Sequence, residues 1–278
     1  MVYPSDLPIR RVKDWIMAPI HYVRNAKIRG FEEAGVPIVV YQMGKVGSMS
    51  ITKSLQRRGV APVYHVHQLH LPHLRELNQA RKESGRPERD HRTERYLYQS
   101  LIEGQRRSKY ISLVRDPVSR NVSAFFQNLR HHLAPGPYEE IPPLSELVEF
   151  FVEVYDHDVP LTWFQKEVEP VLGIDVYEED FPKEEGYKGY KNDKFEIIVM
   201  KCEVDDSKKE LALQNFLGVD DISLQRANVS AEKSYSDVYR RVKASVLPKA
   251  YVQRLCESDY MQHFYTENEI ERIYDFWT

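Results

Sequence analysis

Cysteine is scarce. The 278 residues contain two, Cys202 and Cys256, too few for a disulfide framework and suited to a reducing compartment. Glycine is sparse as well, 12 against 16 prolines, and no biased tract or fixed-period repeat occurs. Solenoids, collagen-like chains and low-complexity linkers are thereby excluded. Long apolar runs are missing: none approaches the ~18 residues that cross a bilayer. Charges interrupt the N-terminal "MVYPSDLPIRRVKDWIMAPIHYV" where a signal peptide needs its apolar stretch, so the expectation is a cytoplasmic protein without a transmembrane segment. Trp15, Ile16, Met17 and Ile20 read as a helix face packing on the core, with a membrane-surface helix as the alternative. An excess of one charge sign is also absent. A net charge of −3 with both signs interspersed gives no support for a nucleic-acid partner. What remains is 42% hydrophobic and 29% charged, an ordinary globular composition long enough for one large domain or two small ones.

Along the chain, strand signals alternate with helical ones. Val36 to Met43, "VPIVVYQM", is a β-branched apolar run of the kind buried on both faces of a parallel sheet. Ser48 or Ser50 is placed to cap the helix that follows, and Gly59 to end it. Further strands are expected at Ala61 to Leu69, Tyr110 to Asp116 and Phe195 to Glu203. Two helices should lie between Pro72 and Arg107, and another should start at Pro117. From 134 to 194 a Pro-rich loop, two helical segments and the loop "GIDVYEEDFPKEEGYKGYKND" read as an insertion shaping a substrate cleft, and the C-terminal third reads as helical. The expected fold is a single α/β domain over 1–278, a parallel sheet flanked by helices in three layers.

The junction "QMGKVGSMS" is a strand end, a glycine- and serine-containing turn, and a helix start. Free N–H groups of a first helical turn, the helix dipole and close-approach glycines together make an anion cradle. The nucleotide-triphosphatase loop demands G-x-x-x-x-G-K-[ST]. Here Val46 follows Lys45, and Val39 stands where the earlier glycine would be, which argues against ATP or GTP hydrolysis. A tight turn with an exposed lysine is the bland reading. A second element, "VRDPVSRNVSAFF", places Arg115 at the end of the third strand and Ser123 eight residues on, in the helix after it. Ends of parallel strands open on one edge, and a guanidinium fork plus a hydroxyl suits a second phosphate. An ion pair for Arg115 and simple packing for Ser123 are the alternatives.

"YHVHQLHLPH" gathers His65, His67, His70 and His73. A metal site, structural histidines, or a general base for proton removal from a hydroxyl are the competing readings. No Asp or Glu follows until Glu76, which weighs against a metal. The second strand should adjoin the first, which brings the His65–His67 pair beside Lys45.

The lysine-first "GKVGSMS" with "RDPVSRNVSAFF" resembles the sulfotransferase superfamily, whose members use the sulfate donor 3′-phosphoadenosine 5′-phosphosulfate (PAPS) on a P-loop-like fold. The wording is similar to carbohydrate sulfotransferases of the heparan 2-O type and to bacterial capsular polysaccharide synthesis proteins, over roughly residues 36–130. The resemblance implies that Lys45, Val46, Gly47, Ser48, Met49 and Ser50 hold the 5′-phosphosulfate and that Arg115 and Ser123 hold the 3′-phosphate. It implies His67 as base with His65 assisting, and Lys45 as a catalytic cation. From "QRANVSAEKSY" it implies Arg226, Asn228 and Lys233 at the nucleotide. No metal is required by such chemistry, and the acceptor implied is a carbohydrate or polysaccharide hydroxyl. Trp163, Phe164 and Tyr177 are aromatic candidates for lining its cleft, since aromatic faces suit sugar rings, with plain core packing as the alternative. Where many relatives carry Pro before the lysine and Thr after the second glycine, this chain has Gly44 and Ser48. A P-loop kinase-like phosphotransferase and a catalytically silent nucleotide-fold binding protein are the alternatives.

Overall fold

The computed structural model describes residues 35–59, 62–127, 129, 143–225 and 246–278. Strands β1 (Ile38–Tyr41), β2 (Val63–Val66), β3 (Lys109–Val114), β4 (Tyr187–Lys191) and β5 (Glu196–Lys201) form one sheet. Its order is β2-β1-β3-β5-β4. β1 runs parallel to both β2 and β3, and β3 runs parallel to β5. All four β1 residues are buried, as are the last five of β5, which is why these strands read as continuous apolar runs.

The expected parallel sheet is corrected at one edge. β4 pairs antiparallel with β5, inside the segment read as a loop, so the sheet is mixed. The hairpin is closed by Asn192, whose side-chain oxygen accepts from the Lys194 and Phe195 N–H groups at 3.0 and 2.9 Å, an Asx-type turn. Lys188 and Lys191 lie on this edge strand, where charge discourages pairing with another chain.

Helices flank the sheet. They are α1 (Ser48–Arg58), α2 (Leu71–Glu83), α3 (Arg92–Leu97, continuing with π winding over Tyr98–Glu103) and α4 (Pro117–Gln127). Then come α5 (Leu144–Val154) and α6 (Val159–Trp163, a π-wound Phe164–Val168, then Glu169–Leu172). α7 (Asp206–Leu217), α8 (Lys249–Cys256), α9 (Asp259–Phe264) and α10 (Glu267–Trp277) complete them. The larger core joins the sheet to α1, α6 and α9 through residues such as Tyr41, Leu55, Trp163, Phe164 and Phe264. A second core packs Val122, Phe125, Phe151, Tyr251, Leu255 and Trp277 between α4, α5, α8 and α10. α10 starts with a capping box between Thr266 and Glu269. No helix among the described residues is long and apolar enough to cross a membrane.

The chain leaves β1 toward β2 on one side and later places β3 on the other. The order therefore reverses between β1 and β3, and the carboxyl ends of strands at such a point frame a ligand crevice. The turn with Lys45 leaves β1 there, and Arg115 follows β3.

Candidate active site

β1 is followed by Gln42, fully buried, and the chain turns through 43–47 into α1. Lys45 takes φ 76° and Gly47 φ 82°. The lysine is thus held in the left-handed region that L side chains enter at a cost. Such strain at a strand–helix turn is a feature of ligand-binding loops. The helix begins at Ser48 with Gly47 as its cap residue and no side-chain cap, so capping by Ser48 or Ser50 is corrected. Their hydroxyls go elsewhere. The Ser48 Oγ, buried, lies 2.7 Å from the Gln42 amide nitrogen and 2.8 Å from His65 Nε2. The Ser50 hydroxyl donates to the Gln225 carbonyl at 2.7 Å. The first-turn N–H groups of α1 are left without a capping side chain, an arrangement that favours an anion. Val46 is fully buried and Met49 half-buried, while Gly47 is exposed.

His65 lies in β2 and His67 just beyond its end. His65 pairs with Val40 of β1, and the His65 and His67 rings meet edge to face at 4.9 Å. His67 Nδ1 lies 2.9 Å from the Gln42 main-chain oxygen. A carbonyl only accepts, so Nδ1 carries the proton and Nε2 is left with its lone pair. That nitrogen is 3.9 Å from the position a Cβ on Gly44 would take, so it faces the turn, over a residue with no side chain. The main chain of His67 is held from behind by the Trp163 indole, which donates to its carbonyl at 3.1 Å. Burial lowers the His67 pKa, the Arg120 charge lowers it further, and the Gln42 carbonyl opposes both. His65 is pushed down to about 4 by burial and by His67.

Arg115 and Lys45 come together: the Arg115 guanidinium donates to the Lys45 carbonyl at 2.8 Å. The Arg115 backbone is clamped by the buried Tyr260 of α9. Its hydroxyl accepts from the Arg115 N–H and donates to the Arg115 carbonyl, both at 3.1 Å. The adjoining Asp116 N–H donates to Glu203 at 3.1 Å, and Tyr265 donates to the other Glu203 oxygen at 3.1 Å. Burial and the neighbouring Asp116 raise the Glu203 pKa. Ser123 lies two turns into α4 on its half-buried face with Ser119. Arg226, Asn228 and Lys233 lie outside the described residues, as do Trp15, Ile16, Met17 and Ile20. The described chain reaches Gln225 beside α1, where its N–H donates to Ser54 at 3.1 Å.

Three residues at the site carried no usable signal in the sequence. Gln42 contributes both its main-chain oxygen and its amide. Arg120, 6% exposed, donates to the Gly44 carbonyl at 3.1 Å, to Asn121 at 2.9 Å and to the Tyr155 hydroxyl at 3.3 Å. It sets a buried positive charge under the turn, and its place in "RDPVSR" was the only hint. Glu167, fully buried, accepts from the Tyr41 hydroxyl at 2.6 Å, from the Leu69 and His70 N–H groups at 2.8 and 3.1 Å, and pairs with His73. It ties the turn after β2 to α6. A carboxylate thus reaches the histidine segment from a distant helix. Even so, no group of three or more His, Cys, Asp or Glu able to hold a metal ion occurs among the described residues. Trp163 and Phe164 are core residues, 3% and 2% exposed, so of the two readings of these aromatics it is the core one that holds, and the cleft reading is corrected. Tyr177 packs beside them, partly buried.

Residues 144–266 match the model of a family described as "Putative capsular polysaccharide synthesis protein". The match takes in α5, α6, β4, β5 and α9, and so Glu167, Glu203 and Tyr260. It leaves out Lys45, His67 and Arg115. No curated protein and no solved structure matches the chain.

Proposed function

We propose that the chain is a PAPS-dependent sulfotransferase that modifies a hydroxyl of a carbohydrate or polysaccharide on a P-loop-like fold. The observation that carries this reading is His67: a neutral imidazole with Nδ1 bound to a main-chain carbonyl and Nε2 turned over Gly44, at the mouth of an uncapped strand–helix turn. A general base must present a lone pair at the reacting atoms. The description of the matching family adds weight to a polysaccharide acceptor.

The residues present fit the donor. The α1 N-terminus and Lys45 would hold its 5′ phosphosulfate and Arg115 its 3′-phosphate. Bound there, the donor supplies an activated sulfuryl group. His67 Nε2 takes the proton of the acceptor hydroxyl as that oxygen attacks. Lys45 and the first-turn N–H groups balance the charge growing on the departing phosphate. Arg120, fixed beneath Gly44, adds positive potential without leaving the interior. Ser48 serves the histidines rather than the anion: with the Gln42 amide it holds His65 Nε2, and His65 buttresses His67.

Calorimetry with adenosine 3′,5′-bisphosphate and with ATP tests the donor class. Selective binding of the bisphosphate without magnesium is expected. Selective, magnesium-dependent binding of ATP would favour a kinase-like phosphotransferase instead, and binding of neither would favour a silent fold. His67→Ala should abolish sulfuryl transfer yet keep bisphosphate affinity within a few-fold.

A further inference from the structure

The buried Arg120 guanidinium pairs with no carboxylate among the described residues; its partners are all neutral. A charge so placed is costly unless polar groups hold it. Its Nε donates to the Gly44 carbonyl, while Nη1 donates to Asn121 Oδ1 and to the Tyr155 hydroxyl. The fork is planar and rigid, so anchoring Nη1 decides where Nε points.

That anchor continues into the second core. Asn121 turns its oxygen to Arg120 because its Nδ2 donates to the His157 carbonyl at 3.0 Å. A flipped amide would set donors against the guanidinium and an oxygen against a carbonyl. His157, buried in the link between α5 and α6, is held at both ring nitrogens. Nε2 lies 2.8 Å from the Phe151 carbonyl, which only accepts, so Nε2 carries the proton. Nδ1 then accepts from the Tyr251 hydroxyl of α8 at 3.0 Å. Every donor from α8 to the turn is thereby assigned. The rings of Phe151, Tyr155 and Tyr251 close around His157 with centroids 4.8, 5.2 and 4.6 Å from its own. Tyr155, His157 and Tyr251 fall within residues 144–266, the stretch that matches the family model, and these bonds tie that stretch to the turn.

Gly44 is the residue over which His67 Nε2 sits, and the Arg120 charge acts on His67 too. Resting on the reading of His67 as the base, we propose that Asn121, Tyr155, His157 and Tyr251 are positioning residues, which act through Arg120 to hold the turn under the base. With the guanidinium released, Gly44 loses its tether and the positive charge moves away from His67. The other groups acting on that ring are His65 on β2, the Gln42 carbonyl after β1, Glu94 in α3 and Arg89 before it. They lie on other elements than the four positioning residues and are left in place.

An NMR titration of the histidine side chains in the full chain tests this, with His67 assigned through His67→Gln. Tyr155→Phe and Tyr251→Phe keep the rings and remove one hydroxyl each. Both should raise the His67 midpoint by about half a unit and weaken adenosine 3′,5′-bisphosphate binding about threefold. Asn121→Ala should do more of both. Trp277→Phe, a packing change in the same core away from these bonds, should lower the melting temperature and leave the midpoint where it was. An unmoved midpoint in both tyrosine variants, or an equal movement in Trp277→Phe, would overturn the assignment. A moved midpoint in a protein that binds no bisphosphate would keep the positioning role and remove the sulfuryl-transfer reading. Bisphosphate binding with an unmoved midpoint would do the reverse.

Discussion

A base must be neutral when substrate arrives, and for His67, the base proposed above, burial and the Arg120 charge both favour the neutral form. With its pKa held below the ordinary ~6.5, the acid limb of kcat/KM should fall below that value, and Arg120→Leu should move the limb upward. A limb at or above ~6.5 in the parent would remove His67 as the titrating base. Lys45 offers a sharper measurement. Preorganised charge at a developing anion is worth about 3–4 kcal/mol, so Lys45→Ala should lower turnover by roughly two to three orders of magnitude. Glu167 belongs to stability. Removing its carboxylate strands four donors, two of them fully buried, so Glu167→Ala should cost about 3–5 kcal/mol in urea unfolding. Glu167→Gln keeps the volume and one acceptor oxygen and should cost less. At this scale the sequence was half legible. Lys45 and Arg115 stand at the ends of apolar strands, so their meeting could be read from strand order. Gln42, Arg120 and Glu167 look like any polar residue until the fold brings their partners from tens of residues away.

Elements position the side chains that matter, and the clearest case is α9 holding the end of β3. Tyr260 acts on the Arg115 backbone as a neighbouring strand would, with one donor and one acceptor. Tyr260→Phe keeps the packing and loses both bonds. It should cost about 1–3 kcal/mol and, on the donor placement proposed above, weaken adenosine 3′,5′-bisphosphate more than adenosine 5′-phosphate, which lacks the phosphate assigned to Arg115. Equal loss for both nucleotides would mean Tyr260 has no bearing on the 3′-phosphate. Among the parallel strands β1, β3 and β5 were legible because their apolar runs are nearly continuous, and β2 because its buried Tyr64 and Val66 alternate with half-buried Val63 and His65. β4 was not: Tyr187-Lys-Gly-Tyr-Lys alternates within a charged stretch, and its pairing depends on the Asn192 turn folding it onto β5.

Across the whole molecule, burial of neutral imidazoles should dominate the response to acid. His65, His67, His91, His157 and His263 all have lowered pKa values, with burial as the leading cause. In the unfolded chain they take protons near ~6.5; in the fold they resist. Stability is therefore fully present above about pH 6.5 and is lost as pH falls toward the folded values, to about 4 for His65. His65 alone accounts for about 3 kcal/mol across that window. Glu203 works in the opposite sense: its raised pKa favours the protonated form in the fold, a single group against five. The melting temperature should drop on moving from pH 7.5 to 5, and His65→Gln should shrink the drop. A flat profile would mean these imidazoles take up protons as readily in the fold as in the unfolded chain.

The bond network around Glu167 has a bearing on how the chain is made. All three strands that frame the crevice are synthesised by Val114, yet the carboxylate that secures the turn behind His67 emerges from the ribosome much later. A nascent chain can bring these three of its five strands together early, but the histidine segment should stay open to protease until α6 has been translated and docked.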